Sequence, residues 1–137
     1  MRLFKSSEYA IRCLVYMAGR HEELCSVKQL SEQLGIPYKF LGRLMTQLKS
    51  AGMVEAIRGK NGGYRIAQPL DQIHMADIVD LVEGMEHYDR CILGFDSCDD
   101  ENPCAMHSSW SEHKEGILRM MNEVNLAQMI ESGSTRL

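Results

Sequence analysis

The stretch LSEQLGIPYKFLGRLMTQLKSAGMVEAIRGKNGGYRIA, residues 30–67, decides the fold, because two helical patterns in it precede a strand–turn–strand pattern. The first helix is predicted to begin after Ser26, which suits an N-cap, and to end at Gly35. Pro37 opens a second helix, whose apolar residues recur at helical spacing until Gly52. A short helix, a tight turn and a longer helix are typical of a helix-turn-helix.

The end of the same stretch predicts a β-hairpin. Residues 53–57 and 64–67 alternate in polarity, as two short strands would. The segment RGKNGG between them, residues 58–63, is basic and rich in turn-forming residues. A basic hairpin after a helix-turn-helix indicates a winged helix, in which the second helix enters a major groove and the wing touches backbone or minor groove.

Further helices are predicted on both sides of this unit. An apolar stripe that follows Ser6 and Ser7 predicts an N-terminal helix capped by one of these serines, with Cys13 in the core. Residues 74–83 predict another helix. Residues 86–106 lack periodicity and predict a long loop, and a loop of this length in a compact domain is usually functional or disordered.

A long C-terminal helix is predicted from about residue 106 to residue 123. Trp110, Ile117 and Val124 are seven residues apart, which resembles a heptad seam and favours pairing with a second copy of the chain. An amphipathic helix packed on its own core is the alternative. The fold class is therefore mainly α with a small β-hairpin wing. The predicted regions are a winged helix-turn-helix domain at 1–84, a cysteine-rich cluster-binding loop at 85–107, and a dimerisation helix with its tail at 106–137.

The charge of the chain is divided unevenly. The net charge is −4, yet residues 1–68 hold eleven Lys and Arg against five Asp and Glu, which gives +6. Residues 69–137 hold four against fourteen, which gives −10. A basic first half favours an anionic partner. Because no segment approaches the ~18 apolar residues of a membrane helix, and the N-terminus is too charged for a secretory signal, we expect a cytoplasmic protein without membrane association.

The outward face of the second helix of this unit is the candidate DNA-reading surface. If its apolar stripe is buried, the residues left for solvent or DNA are Tyr38, Lys39, Gly42, Arg43, Thr46 and Lys49. Arg43 can fork onto a guanine edge, whereas Lys39 is better suited to phosphate.

The wing adds a second candidate DNA contact. Arg58 and Lys60 carry charge, and Gly62 and Gly63 allow a sugar-phosphate strand to approach the backbone. Exposed basic residues and glycine turns are each commonplace, so the combination of helix and wing is what favours DNA binding.

Three of the five cysteines lie in CILGFDSCDDENPCAMH, residues 91–107, with the spacing Cys91-x6-Cys98-x5-Cys104-x2-His107. An odd cysteine count argues against a disulfide framework. Thiolates are soft ligands, and three of them with one further donor fill four positions around zinc or a two-iron, two-sulfide cluster. Structural zinc more often uses tight Cys-x2–4-Cys pairs, whereas gaps of five or six residues let a loop wrap a cluster.

The segment MRLFKSSEYAIRCLVYMA at the start of the chain and the wing motif R-G-x-x-G-G-Y, Arg58 to Tyr64, resemble the IscR/NsrR family of bacterial winged-helix, iron–sulfur regulators. The resemblance covers residues 1 to about 131. It implies a homodimer that pairs through the long C-terminal helix and binds double-stranded DNA at a near-palindromic operator. It implies DNA contacts by Lys39, Phe40, Gly42, Arg43 and Arg58.

The resemblance also implies that Cys91, Cys98 and Cys104 ligate an iron–sulfur cluster, with 2Fe-2S favoured over 4Fe-4S. The first gap is one residue longer here than in the best-known relatives. His107 is the favoured fourth ligand, because Cys-x2-His is a local chelate. Glu8 of the partner subunit is the alternative, since nitric-oxide-sensing relatives use an acidic residue there. An ion pair with Arg12, four residues later on the same helix, would be an ordinary structural reason for a glutamate at position 8.

Together these features predict a DNA-binding transcriptional regulator, more readily a repressor than an activator, that senses iron–sulfur status, redox state or nitric oxide. One alternative is a cluster-free regulator whose thiols form disulfides under oxidants. Another is an iron–sulfur carrier protein that does not bind DNA. No Ser-His-Asp arrangement or paired carboxylates suggest catalysis, so an enzyme is not expected.

Overall fold

The computed structural model describes residues 1–133, and the end of the predicted tail, residues 134–137, lies outside the described residues. The elements in chain order are α1 (Lys5–Ala18), α2 (Val27–Leu34), α3 (Tyr38–Ser50), β1 (Val54–Ile57), β2 (Gly63–Ile66), α4 (Met75–Val82), α5 (His107–Glu123) and α6 (Leu126–Glu131). Short 3-10 turns cover Leu70–Gln72 and Met85–His87. The predicted fold class, mainly α with a β-hairpin wing, is confirmed.

Helix α1 begins earlier than predicted. Phe4 occupies its N-cap without a side-chain hydrogen bond, so neither Ser6 nor Ser7 caps the helix. Ser7 instead lies buried, and its hydroxyl has no hydrogen-bond partner among the described residues. Cys13 is fully buried on the apolar stripe, as predicted, and burial raises its pKa to about 12. This thiol is therefore a core residue.

The helix-turn-helix is fixed by local caps and one long-range contact. The Ser26 hydroxyl accepts a hydrogen bond from the Gln29 amide at 3.0 Å, and Gly35 ends α2 in the left-handed region, with φ of 63°. The Arg12 guanidinium donates to the Leu34 carbonyl at 2.8 Å, which satisfies an open carbonyl at the end of α2. Helix α1 therefore holds the turn that precedes α3.

One face of α3 is buried in the main core. Leu41, Leu44, Met45 and Leu48 have almost no exposed surface, and they pack with apolar residues of α1, α2, α4 and α6. These four positions follow the helical spacing of the sequence. Burial of one face leaves the opposite face of α3 turned outward.

The wing is an antiparallel hairpin that pairs Val54 with Ile66 at one end and Ile57 with Gly63 at the other. Strand β1 begins one residue later than predicted, and β2 begins and ends one residue earlier than predicted. Cys25, from the segment before α2, adds a bridge to Tyr64 through two backbone hydrogen bonds of 2.9 and 2.8 Å. The wing is thereby tied to the helical core by a third short extended segment.

Helix α5 packs on α4 in a second, smaller core that contains Val79, Tyr88 and Met121. The predicted seam residues Trp110, Ile117 and Val124 are each half-buried within the single chain. Pairing with a second copy through this helix stays a prediction. Within residues 1–133, every helix is too short or too polar to span a bilayer.

Candidate DNA-reading surface and candidate metal centre

The predicted DNA-reading residues of α3 lie together on its outward face. Those residues are Tyr38, Lys39, Gly42, Arg43, Thr46 and Lys49, of which only Gly42 is half-buried. Phe40 is different, because it is half-buried and packs edge-on against Tyr9, with ring centroids 5.4 Å apart. Its side chain therefore lies on the core side of the helix, and a DNA contact by Phe40 stays a prediction from resemblance.

At the wing, Arg58 and Lys60 are exposed in the turn, whereas Arg65 forms an ion pair with Glu55 on the neighbouring strand. The basic charge of the wing tip therefore comes from Arg58 and Lys60. Both predicted DNA contacts are sterically open.

The fold itself requires glycine at two positions of the wing, Gly62 and Gly63. A Cβ at Gly62 would lie 2.1 Å from the Ile57 carbonyl oxygen, so the turn closes only without a side chain. A Cβ at Gly63 would lie 3.0 Å from the carbonyl of Cys25, so the bridge to that residue needs glycine as well. Their predicted contacts with a sugar-phosphate strand remain predictions.

The cysteine-rich loop brings its four predicted donors around one cavity of about 340 Å³. The donors approach in two pairs: the Cys91 and Cys104 sulfurs are 3.6 Å apart, and the Cys98 sulfur is 3.7 Å from His107 Nδ1. Among residues 1–133, no three Cys, His, Asp or Glu side chains converge on a single ion position. The arrangement is therefore pairwise.

His107 is oriented for ligation through Nδ1. Its Nε2 lies 2.7 Å from a carboxylate oxygen of Asp100. A carboxylate only accepts hydrogen bonds, so Nε2 carries a proton, and in the neutral ring Nδ1 then presents its lone pair toward Cys98. Although Asp100 is 95% exposed, it performs the orienting task usual for a partner of a metal-binding histidine.

The Cys91 sulfur is buried among backbone amides. Burial by itself would raise the pKa of Cys91, but the N–H groups of Leu93, Phe95 and Gly94 and the Cys104 thiol outweigh it. Its pKa therefore falls below the ordinary value. Amides that converge on one sulfur favour an anionic thiolate, which is the form that binds metal.

Helix α5 holds the stem of the loop just before Cys91. The Trp110 indole donates to the Arg90 carbonyl at 3.0 Å. One turn on, the Lys114 ammonium donates to the Asp89 carboxylate at 2.7 Å, although its side chain is only 13% exposed. Both hydrogen bonds fix the entry to the loop, while its other end continues directly into α5 at His107.

Glu8, the alternative fourth ligand, lies apart from this cavity in the same chain. Its carboxylate accepts hydrogen bonds from Lys5 at 2.8 Å and Arg2 at 3.1 Å, and these contacts lower its pKa. The predicted ion pair with Arg12 is wrong, since the Arg12 guanidinium bonds to the carbonyl of Leu34 instead. Ligation by Glu8 of a partner subunit stays untested.

Sequence reasoning missed three groups around these sites. Cys25, which bridges to the wing, had no assigned role, and its backbone contact leaves no signal in the sequence. Asp100 orients His107, a role that its position in the acidic stretch of the loop does not predict. Trp110 and Lys114 could have been found, because they lie three and seven residues after His107 and so share one helical face.

Comparisons with known proteins identify the family and the fold of this chain. The profile of the Rrf2 family, described as iron-dependent transcriptional regulators, matches residues 3–132. A protein of Aquifex aeolicus, named as an HTH-type transcriptional regulator, is 30% identical over 124 residues, which cover 89% of this chain and 86% of the relative.

Two solved structures share the fold. CymR, the global cysteine regulator of B. subtilis, is 23% identical with a TM-score of 0.80, over 96% of this chain and 98% of CymR. IscR of T. potens is 24% identical with a TM-score of 0.77, over 98% of this chain and 89% of IscR.

Proposed function

Because the chain belongs to the Rrf2 family of transcriptional regulators, we propose that it is a cytoplasmic, homodimeric repressor that senses redox state, nitric oxide or iron–sulfur supply through a 2Fe-2S cluster. Cys91, Cys98, Cys104 and His107 hold this cluster in the proposal. The family disfavours both an enzyme and a carrier protein without DNA affinity. The DNA-binding surface is α3 with the wing, and the operator is near-palindromic.

The pairing of the four donors carries the proposal. Two donors on one tetrahedral metal lie roughly 3.3–3.8 Å apart for bonds of about 2.0–2.3 Å. The Cys91–Cys104 and Cys98–His107 separations of 3.6 and 3.7 Å fit that range. A two-iron cluster needs two ligands on each metal, and the cavity of about 340 Å³ has room for a polyatomic group.

When bound, the cluster would supply one-electron redox chemistry and reactivity toward oxidants. The residues of this chain orient and shield it. Asp100 fixes the His107 ring, the amides after Cys91 stabilise a thiolate, and Trp110 and Lys114 tie the loop to α5. A rearrangement of the loop would therefore displace α5, the helix that is proposed to join two subunits.

The output of the proposed sensor is the position of the two reading heads. Helix α3 is packed rigidly on the core, so it moves with its whole domain. A change at α5 then alters the distance or angle between two copies of α3, and with it the fit to two half-sites. A coupling of roughly 1–3 kcal/mol would change operator affinity about 5–150-fold.

Anaerobic purification tests the cofactor. We expect a coloured protein with two irons and two sulfides per chain after reconstitution, and loss of both in Cys98→Ala. Ser97→Ala, which alters a neighbouring exposed side chain of the cavity, is the matched control and should keep the cluster. Protein that stays colourless and iron-free after reconstitution would overturn the cluster proposal.

A thiol switch is the second candidate, since the Cys91 and Cys104 sulfurs are already 3.6 Å apart. Oxidation of these two thiols by hydrogen peroxide would form one S–S bond and reduce the peroxide to two waters. A disulfide between Cys91 and Cys104 that changes DNA affinity in iron-free protein would favour this candidate.

A further inference from the structure

Gly42 lies in the middle of α3, where glycine is unfavourable and the fold gives no reason for it. Its φ is not positive, so its backbone conformation suits any residue. A Cβ placed on Gly42 would meet no atom within 4 Å outside the neighbouring backbone of its own helix. Glycine in a helix interior is less stable than alanine, so the fold by itself would favour alanine here.

The missing side chain opens a shallow groove of about 460 Å³ on the outward face of α3, which we call the Gly42 groove. Its lining residues are Val27, Tyr38, Lys39, Gly42, Arg43 and Thr46. Lys39 and Arg43 place positive charge beside it, as a surface that meets DNA requires. The groove is thus continuous with the DNA-reading surface.

Apolar groups supply much of the groove wall. Val27 offers methyl groups, and Tyr38, which is 60% exposed, offers its ring. The Thr46 hydroxyl donates to the Gly42 carbonyl at 3.0 Å, so its hydrogen-bonding capacity is directed to the helix backbone. The Thr46 methyl group is then the part of that side chain left for an outside contact.

We propose that the Gly42 groove receives the 5-methyl group of a thymine in the major groove of the operator. Thymine is the base that presents a methyl group on this edge, and apolar side chains are its usual contacts. The flanking Lys39 and Arg43 are long enough to reach phosphate or a neighbouring guanine. This inference rests on the proposed DNA-binding function, and it specifies one base that the surface reads.

The test uses a DNA duplex selected from a randomised library by the full-length protein, in its cluster-loaded and cluster-free states. Each thymine of the duplex is replaced in turn by uracil, which removes only the methyl group. At one thymine in each half-site we expect the replacement to weaken binding of the unmodified protein about fourfold, the effect of one buried methyl group.

The Gly42→Ala variant, measured on the same thymine and uracil duplexes, completes a double-mutant cycle between protein and DNA. We expect it to melt at a higher temperature, to bind the thymine duplex more weakly, and to bind the thymine and uracil duplexes equally. Gln47→Ala, an exposed position of α3 outside the groove, should keep the full discrimination.

Two results would overturn the inference while leaving the proposed function intact. One is a selected duplex in which no thymine-to-uracil replacement matters. The other is a Gly42→Ala variant that still discriminates thymine from uracil. If the unmodified protein selects no sequence in either cluster state, the DNA-reading function fails and the inference fails with it.

Discussion

The reading surface and the cysteine loop are built in opposite ways. Helix α3 presents its candidate DNA-reading residues on a face opposite to one that is fully buried. Residues 88–106 contain no helix or strand, and hydrogen bonds from Trp110 and Lys114 hold their beginning. Ile92, Leu93 and Phe95 lie exposed in this loop. The difference teaches that the proposed recognition surface lies on a packed helix, whereas the proposed sensor lies on a segment with little regular structure.

The five cysteines also fall into two groups, two in the helical core and three in the cysteine-rich loop. Cys13 and Cys25 are fully buried, and burial raises the pKa of both. Cys91 is also largely buried, yet the amides around its sulfur lower its pKa. Burial alone therefore does not set the direction in which the pKa of a thiol shifts, because polar groups that face the sulfur act against it.

The largest expected effect is on stability. Leu44→Ala should lower the free energy of unfolding by about 2–5 kcal/mol, because it empties a fully packed position under α3. Cys98→Ala in the loop should cost less than about 1 kcal/mol. Urea denaturation of both variants in cluster-free form measures the difference, and equal losses would contradict the contrast between scaffold and loop.

The next largest effect is expected in thiol labelling, where core cysteines and loop cysteines should differ in rate. In native, cluster-free protein we expect iodoacetamide to modify Cys91, Cys98 and Cys104 at least roughly 100-fold faster than Cys13 and Cys25. That ratio corresponds to a local opening cost near 3 kcal/mol for the core positions.

The pH dependence of labelling sharpens this comparison. Because the thiolate is the reactive form, the lowered pKa of Cys91 should let its labelling rise at a lower pH than that of free cysteine. Peptide mass spectrometry over a pH series resolves the individual residues. A Cys91 profile identical to that of free cysteine would show that the surrounding amides do not act on the sulfur.

A smaller effect is expected at the tie between the loop and α5. Lys114→Ala removes the bond to Asp89 and should speed cluster loss several-fold in air, as followed by visible absorption. Lys114→Arg should restore much of the lifetime, since a guanidinium can also donate to that carboxylate. Arg119→Ala, an exposed position on the same helix, is the control and should change nothing.

The smallest expected effect is at Glu8, which pairs with Arg2 and Lys5 on the surface. Glu8→Gln should leave the absorption and electron paramagnetic resonance spectra of the loaded protein unchanged, whereas His107→Ala should alter both. A reversed outcome would transfer the fourth ligand from His107 to Glu8 of the partner subunit.

Local patterns predicted the scaffold well. The apolar spacing of α3, the Ser26 cap and the turn at Gly35 are properties of neighbouring residues, so the helix-turn-helix could be predicted from sequence. The wing followed from its glycine-rich turn, with an error of one residue at each strand. Such features depend on short-range backbone chemistry, which a single sequence records.

Long-range contacts could not be predicted in the same way. The hydrogen bond from Arg12 to Leu34 joins residues 22 positions apart, and the bond from Lys114 to Asp89 joins residues 25 positions apart. No local sequence pattern predicts either hydrogen bond. The wing glycines were assigned to DNA approach, yet their structural reasons are hairpin closure and the bridge to Cys25. The donor set of the cysteine loop was visible as spacing, but its pairwise arrangement depends on how the loop folds back on α5.

The dependence of DNA affinity on the cluster is the central claim, and it can be measured directly. The affinity of anaerobic, cluster-loaded protein for a library-selected duplex is compared with that of the same protein after cluster removal. We expect the two affinities to differ about 5–150-fold, and we expect Cys98→Ala to match only the cluster-free state. Equal affinities of loaded and cluster-free protein under identical salt would contradict the claim.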